Sequence, residues 1–150
     1  MSPRTAAFRW LYDHWLALHV TVVAAAILQV TLLLQALSRG LDYISLEQGS
    51  TAILSVIERA LPLEFSGWVF TIAAITGLAG LLVRQFPLTA YAHVVIATFY
   101  AMFATGAIIE VLQRDPIEGW RTATAWLVGA VAHAVLARQS LAAWRVARVQ

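Results

Sequence analysis

The sequence predicts an all-α, polytopic membrane protein: four transmembrane helices in an antiparallel bundle, with a further helix in the outer interface between spans 1 and 2. Three observations predict it. Runs without a charged side chain recur at residues 14–38, 65–83, 88–109 and 122–137, and the first three match the ~20 residues that carry a helix across ~30 Å of hydrocarbon. Charged residues make up 12% of the chain, where soluble domains carry about 25%. Arg84 is the one charge between Glu64 and Glu110, and it divides that stretch into two spans joined by a tight turn.

The composition limits what the protein can be. Its 150 residues are 61% hydrophobic with a mean hydropathy of +0.75. Four spans and short connections use the whole length, as a single transmembrane domain over residues 1–150. No room remains for a soluble catalytic or nucleic-acid-binding module, and no nucleic-acid partner is expected. All 10 basic residues are Arg. An Arg-only, Ala/Val/Leu-rich chain points to a bacterial genome of high GC content. Cysteine is absent, which excludes disulfides, thiolate metal sites and thiol redox chemistry.

Each element has its own signal. Span 1, about residues 15–37, follows a short basic lead holding Arg4 and Arg9 and is too long for a signal-peptide core, so it is read as retained. Between spans 1 and 2, Ile53, Leu54, Ile57 and Leu61 share one side of a helix over about 50–61, with Ser55, Glu58 and Arg59 opposite. That stripe suits an interfacial helix, either a structural collar or a docking surface. Pro62 ends it. Span 2 covers about 66–83, and Arg84-Gln85-Phe86-Pro87 makes the turn into span 3, about 88–112. Asp115-Pro116 and Gly119 are turn chemistry before span 4, about 121–138. A short basic extension follows, with Leu141 and Trp144 on its membrane side.

Orientation follows from the arginines. With the N-terminus inside, inner segments hold Arg4, Arg9, Arg84, Arg138, Arg145 and Arg148, and outer segments hold Arg39, Arg59, Arg114 and Arg121. This bias favours N-in/C-in in a bacterial inner (cytoplasmic) membrane. Trp10, Tyr12, Trp15 and Trp144 anchor the inner boundary, and Trp68 and Trp120 the outer one.

Small residues recur at helical spacing: Ala73, Gly77 and Gly80 in span 2; Ala90, Ala97, Ala101 and Ala104 in span 3; Ala125, Gly129 and Ala132 in span 4. Lipid supplies no hydrophobic drive between helices, so close approach at small residues does much of that work. The same stripes serve contacts within one chain or between copies.

Three sets of polar residues are candidate sites. His19, His93 and His133 lie at one depth on three helices, roughly 5–8 Å below the inner surface at 1.5 Å per residue. They are candidate ligands for a metal or a haem, with His14 nearby, or else structural or proton-linked histidines. Gln29, Thr76 and Tyr100 form a mid-bilayer layer with Gly129 opposite, serving helix-to-helix hydrogen bonds or a water path. Glu110 either reaches the outer surface or, facing a cavity, holds a proton or cation. Arg84 is a positive-inside anchor, with anionic lipid or a partner's carboxylate as its other possible contact. No nucleophile–base–acid set or phosphate loop is present, so catalysis is disfavoured.

Pro62, Trp68, the Arg84–Pro87 turn, Phe99-Tyr100 and the run from Trp126 to Arg138 resemble the four-span membrane proteins of tailed phages and prophages of high-GC bacteria, over roughly residues 60–145. Phosphate-starvation-inducible four-span proteins show a fainter resemblance over the same region. The phage resemblance implies holin-like permeabilisation or superinfection exclusion. The leading expectation is a noncatalytic membrane protein acting by self-assembly or as a subunit of a membrane complex. An ion or proton channel or transporter using Glu110 and the mid-bilayer layer is the second. A metal- or haem-binding redox subunit using the histidine layer is the third.

Overall fold

In the computed structural model of the protein, residues 22–45, 60–115 and 117–148 are described. They form four helices, α1 (Val22–Ser45), α2 (Leu63–Leu82), α3 (Phe86–Leu112) and α4 (Trp120–Ala147). Three of them (Val23–Ser45 of α1, then α2 and α3) are long and apolar enough to cross a membrane. Arg121, Arg138 and Arg145 dilute α4. Almost all of the expected interfacial helix, together with His14 and His19, lies outside the described residues.

Local chemistry fixes where α2 ends. The Gln85 amide donates to the Gly80 carbonyl at 2.8 Å, and the Arg84 amide to Leu81 at 3.2 Å. This is the Schellman pattern, which places the residue after the C-cap in the left-handed region. Arg84 occupies that position with φ 56°, where an L side chain costs roughly 1–2 kcal/mol over glycine. Three residues on, Pro87 stands in the first turn of α3, where its missing N–H leaves no helical bond unmade.

α1 runs on to Ser45, past the expected end of span 1. The charge at Arg39 does not stop it, because that side chain folds over the Trp126 ring, and Gly40 lets α2 approach. At the other end of the chain, α4 continues unbroken through Arg138 to Ala147. The separately expected tail helix is its last turns.

Neighbouring helices pack in chain order, α1 on α2, α2 on α3 and α3 on α4. Glycines set how closely. A Cβ on Gly40 would stand 2.8 Å from the Gly67 carbonyl oxygen, and one on Gly67 would stand 2.8 Å from the Gly40 oxygen, so α1 and α2 cross backbone against backbone. Gly77 accommodates Leu33 and Ala92, Gly80 accommodates Thr89, and Gly129 receives the Tyr100 ring. Among these crossings Tyr43, Phe70, Phe99, Tyr100, Phe103 and Trp126 interlock, with centroids 4.8–6.5 Å apart. Such pairings add ~0.5–1.5 kcal/mol each beyond the area they bury.

The Gly40–Gly67 crossing has no room for a side chain. Gly67→Val is expected to destabilise the folded protein by about 1–3 kcal/mol through overpacking. Ala79→Val, on an exposed face of the same helix, is expected to change it little. Unfolding of the detergent-solubilised protein on titration with a denaturing detergent measures both.

Candidate functional site

Two of the three layered histidines meet. His93, in the second turn of α3, and His133, near the middle of α4, place their Nδ1 atoms 2.7 Å apart. Both residues are 0% exposed, and the rings stand 4.9 Å apart at 48°. Their position follows from packing. Ala90 and Ala92 on α3 and Ala130 on α4 are buried small residues beside them, and Tyr100 lies edge-on to His133 at 5.2 Å.

A contact between two Nδ1 atoms has one chemical meaning: one ring donates its proton and the other accepts it. In the neutral pair the donor ring then has a bare Nε2, and the acceptor ring carries its proton on Nε2. Both Nε2 atoms are buried without a hydrogen-bond partner. The pair therefore holds one shared proton and two open ends. A tetrahedral metal with bonds of ~2.0–2.1 Å would hold two nitrogens roughly 3.3 Å apart, wider than the observed contact. Among the described residues, no three of His, Asp and Glu gather as a metal site.

The other candidates do not converge. Tyr100 is 1% exposed, enclosed by Phe70, Trp126 and His133, and its hydroxyl has no hydrogen-bond partner. Thr76 instead lines an open apolar groove of about 260 Å³ with Ile72, Ala73, Tyr91 and Val95. Gln29, on α1, is half-buried and its Oε1 is buried without a partner. Glu110 pairs with Arg114 at 3.6 Å, one turn away on the same chain. Arg84 is exposed in the α2–α3 turn.

Arg39 is the residue that sequence reasoning misplaced. Its guanidinium lies 4.1 Å from the Trp126 ring centroid and 5.8 Å from that of Tyr100, and Tyr43 of the next turn faces it. The signal was present in the spacing. Arg39 and Tyr43 are four residues apart, with Leu37 and Leu41 continuing the apolar run, so a helix could carry the charge inward beside an aromatic. Buried hydroxyls at Ser66, Thr71 and Ser140 also lack partners, while Thr89 donates to the Gly77 carbonyl at 3.4 Å.

Comparison with protein families, with curated proteins and with solved structures finds no match for this chain.

The histidine contact predicts strong non-additivity. His133→Leu strands the His93 Nδ1 in a dry site and is expected to cost ~1–3 kcal/mol, as is His93→Leu. The double substitution removes both polar rings and is expected to cost clearly less than the sum. A double-mutant cycle on detergent-induced unfolding checks this, and additive losses would mean that the two rings do not interact.

Proposed function

We propose that the chain is a noncatalytic integral membrane protein that crosses a bacterial cytoplasmic membrane four times, N-in/C-in, and acts by assembling with copies of itself or with other membrane subunits. The observation that carries this reading is an inverted distribution of polarity. Val23, Ile27, Ile72, Ile75, Leu82, Val128 and Val131 are all more than half exposed, whereas His93, His133, Ser66, Thr71, Thr89 and Ser140 are buried. In water this arrangement exposes apolar surface and hides polar groups. In lipid it is the favourable one, since side chains facing the tails are apolar and polar groups turn to neighbouring helices.

Assembly is favoured over a path through one chain. The aromatic cluster fills the centre, Thr76 faces the outward groove, and Glu110 is paired with Arg114. A route through Gln29, Thr76, Tyr100 and Glu110 has no continuous polar lining to support it. Permeabilisation of the holin-like kind would then form between copies. For a four-span reading, the uncharged residues 122–137 of α4 supply an apolar centre, and Arg121 and Arg138 can extend toward the two surfaces.

Expression of the full chain in bacteria tests the reading in two steps. The protein should stay in the membrane pellet after alkaline carbonate washing, with reporters on both termini reading cytoplasmic. Crosslinking in those membranes should give a ladder above the monomer or a defined heteromeric band. Release by carbonate would overturn the membrane assignment. A strictly monomeric species without a co-purifying subunit would overturn assembly.

A further inference from the structure

We propose that Arg39 and the aromatic wall behind it form a binding site for the phosphate of an anionic phospholipid, entered from the bilayer at the seam between α1 and α4. The proposal rests on the membrane reading above and assigns a ligand to one place within it. Arg39 stands six residues before the end of α1 and Trp126 six residues after the start of α4. At 1.5 Å per residue both lie ~9 Å in from the same end of the bundle. The two helices are joined there by side chains, with Arg39 and Tyr43 of α1 reaching the Trp126 ring.

The charge balance points to an anion from outside the chain. Arg39 is half-buried within a segment apolar enough to span a membrane, and among the described residues no carboxylate lies within ion-pair distance of it. A cation at such depth is costly, and stacking on an aromatic ring offsets only part of that cost. The remainder calls for a counter-charge. Stacking on Trp126 occupies the face of the guanidinium, and the Tyr43 side chain meets part of its edge, which leaves the rest of the edge for an anion. The guanidinium N–H groups lie in the plane, and that fork matches phosphate oxygens. A phospholipid headgroup is the anion that a bilayer brings to the mouth of such a seam.

Native mass spectrometry of the purified full chain tests this with phosphatidylglycerol, phosphatidylethanolamine and inorganic phosphate as probes. Phosphatidylglycerol should remain bound in preference to phosphatidylethanolamine, and excess inorganic phosphate should not displace it. Arg39→Gln should weaken its retention about tenfold or more, whereas Arg145→Gln, exposed in the last turn of α4 at the opposite end of the bundle, should not. Equal retention of the two lipids, or an unchanged Arg39→Gln variant, would overturn the site, and displacement by inorganic phosphate would assign it to free phosphate instead. Because Arg39→Gln could fail to fold, the unaltered protein supplies a second readout. Its unfolding midpoint should rise with the phosphatidylglycerol fraction of mixed micelles and not with phosphatidylethanolamine, and equal responses would overturn the proposal. A carbonate-extractable protein would signal failure of the membrane reading itself, separately from these outcomes.

Discussion

Close approach of helix backbones is the constraint on which the rest of this structure depends. Between helices in lipid there is no hydrophobic drive, so association depends on van der Waals contact, which falls off steeply with distance. Gly40 against Gly67 brings α1 and α2 together, Gly77 and Gly80 seat Ala92 and Thr89, and Gly129 admits Tyr100. Each glycine removes a side chain where the neighbouring helix needs the space. The aromatic cluster and the histidine pair sit where they do because these crossings set the spacing and rotation of the helices around them.

Within that frame, polar groups are few and enclosed. The His93–His133 contact joins α3 to α4 through one shared proton, and its strength follows from the dry surroundings, which penalise an unpaired partner. The other polar junction is of a different kind. Arg39 closes the gap between α1 and α4 by stacking on Trp126, so a cation takes the place that a small residue occupies at the other helix pairs. One end of the bundle is thus fastened by charge against aromatic rings, and the interior by hydrogen-bonded imidazoles.

Much of this was legible in the sequence, for identifiable reasons. The α2–α3 hairpin follows from Arg84 and Pro87, a lone charge and a lone proline inside an apolar stretch, and Pro62 immediately precedes α2. Equal depth of His93 and His133 can be counted from Pro87 and from Arg138 respectively, because depth depends only on rise per residue. Their convergence could not be counted, since it depends on helix rotation, which Gly129 and the alanines determine. Thr76 and Tyr100 show the same limit, sharing a depth but facing an outward groove and the core respectively. A charge ordinarily marks the end of a span, so the sequence alone puts Arg39 outside span 1, whereas the helix runs through it to Ser45. The aromatic faces that receive it, Tyr100 and Trp126, are distant in sequence, and no local pattern announces them.

The central claim is that the apolar outer faces of these helices meet lipid while their polar groups turn inward. Because the natural chain has no cysteine, single cysteines at the exposed positions Ile72, Val94 and Val128 can each carry a spin label in bilayers. Relaxation by oxygen, which partitions into lipid, and by a water-soluble nickel chelate measures what surrounds each label. The account predicts strong relaxation by oxygen and weak relaxation by nickel at all three positions. Strong relaxation by nickel there would place these faces in water and contradict it.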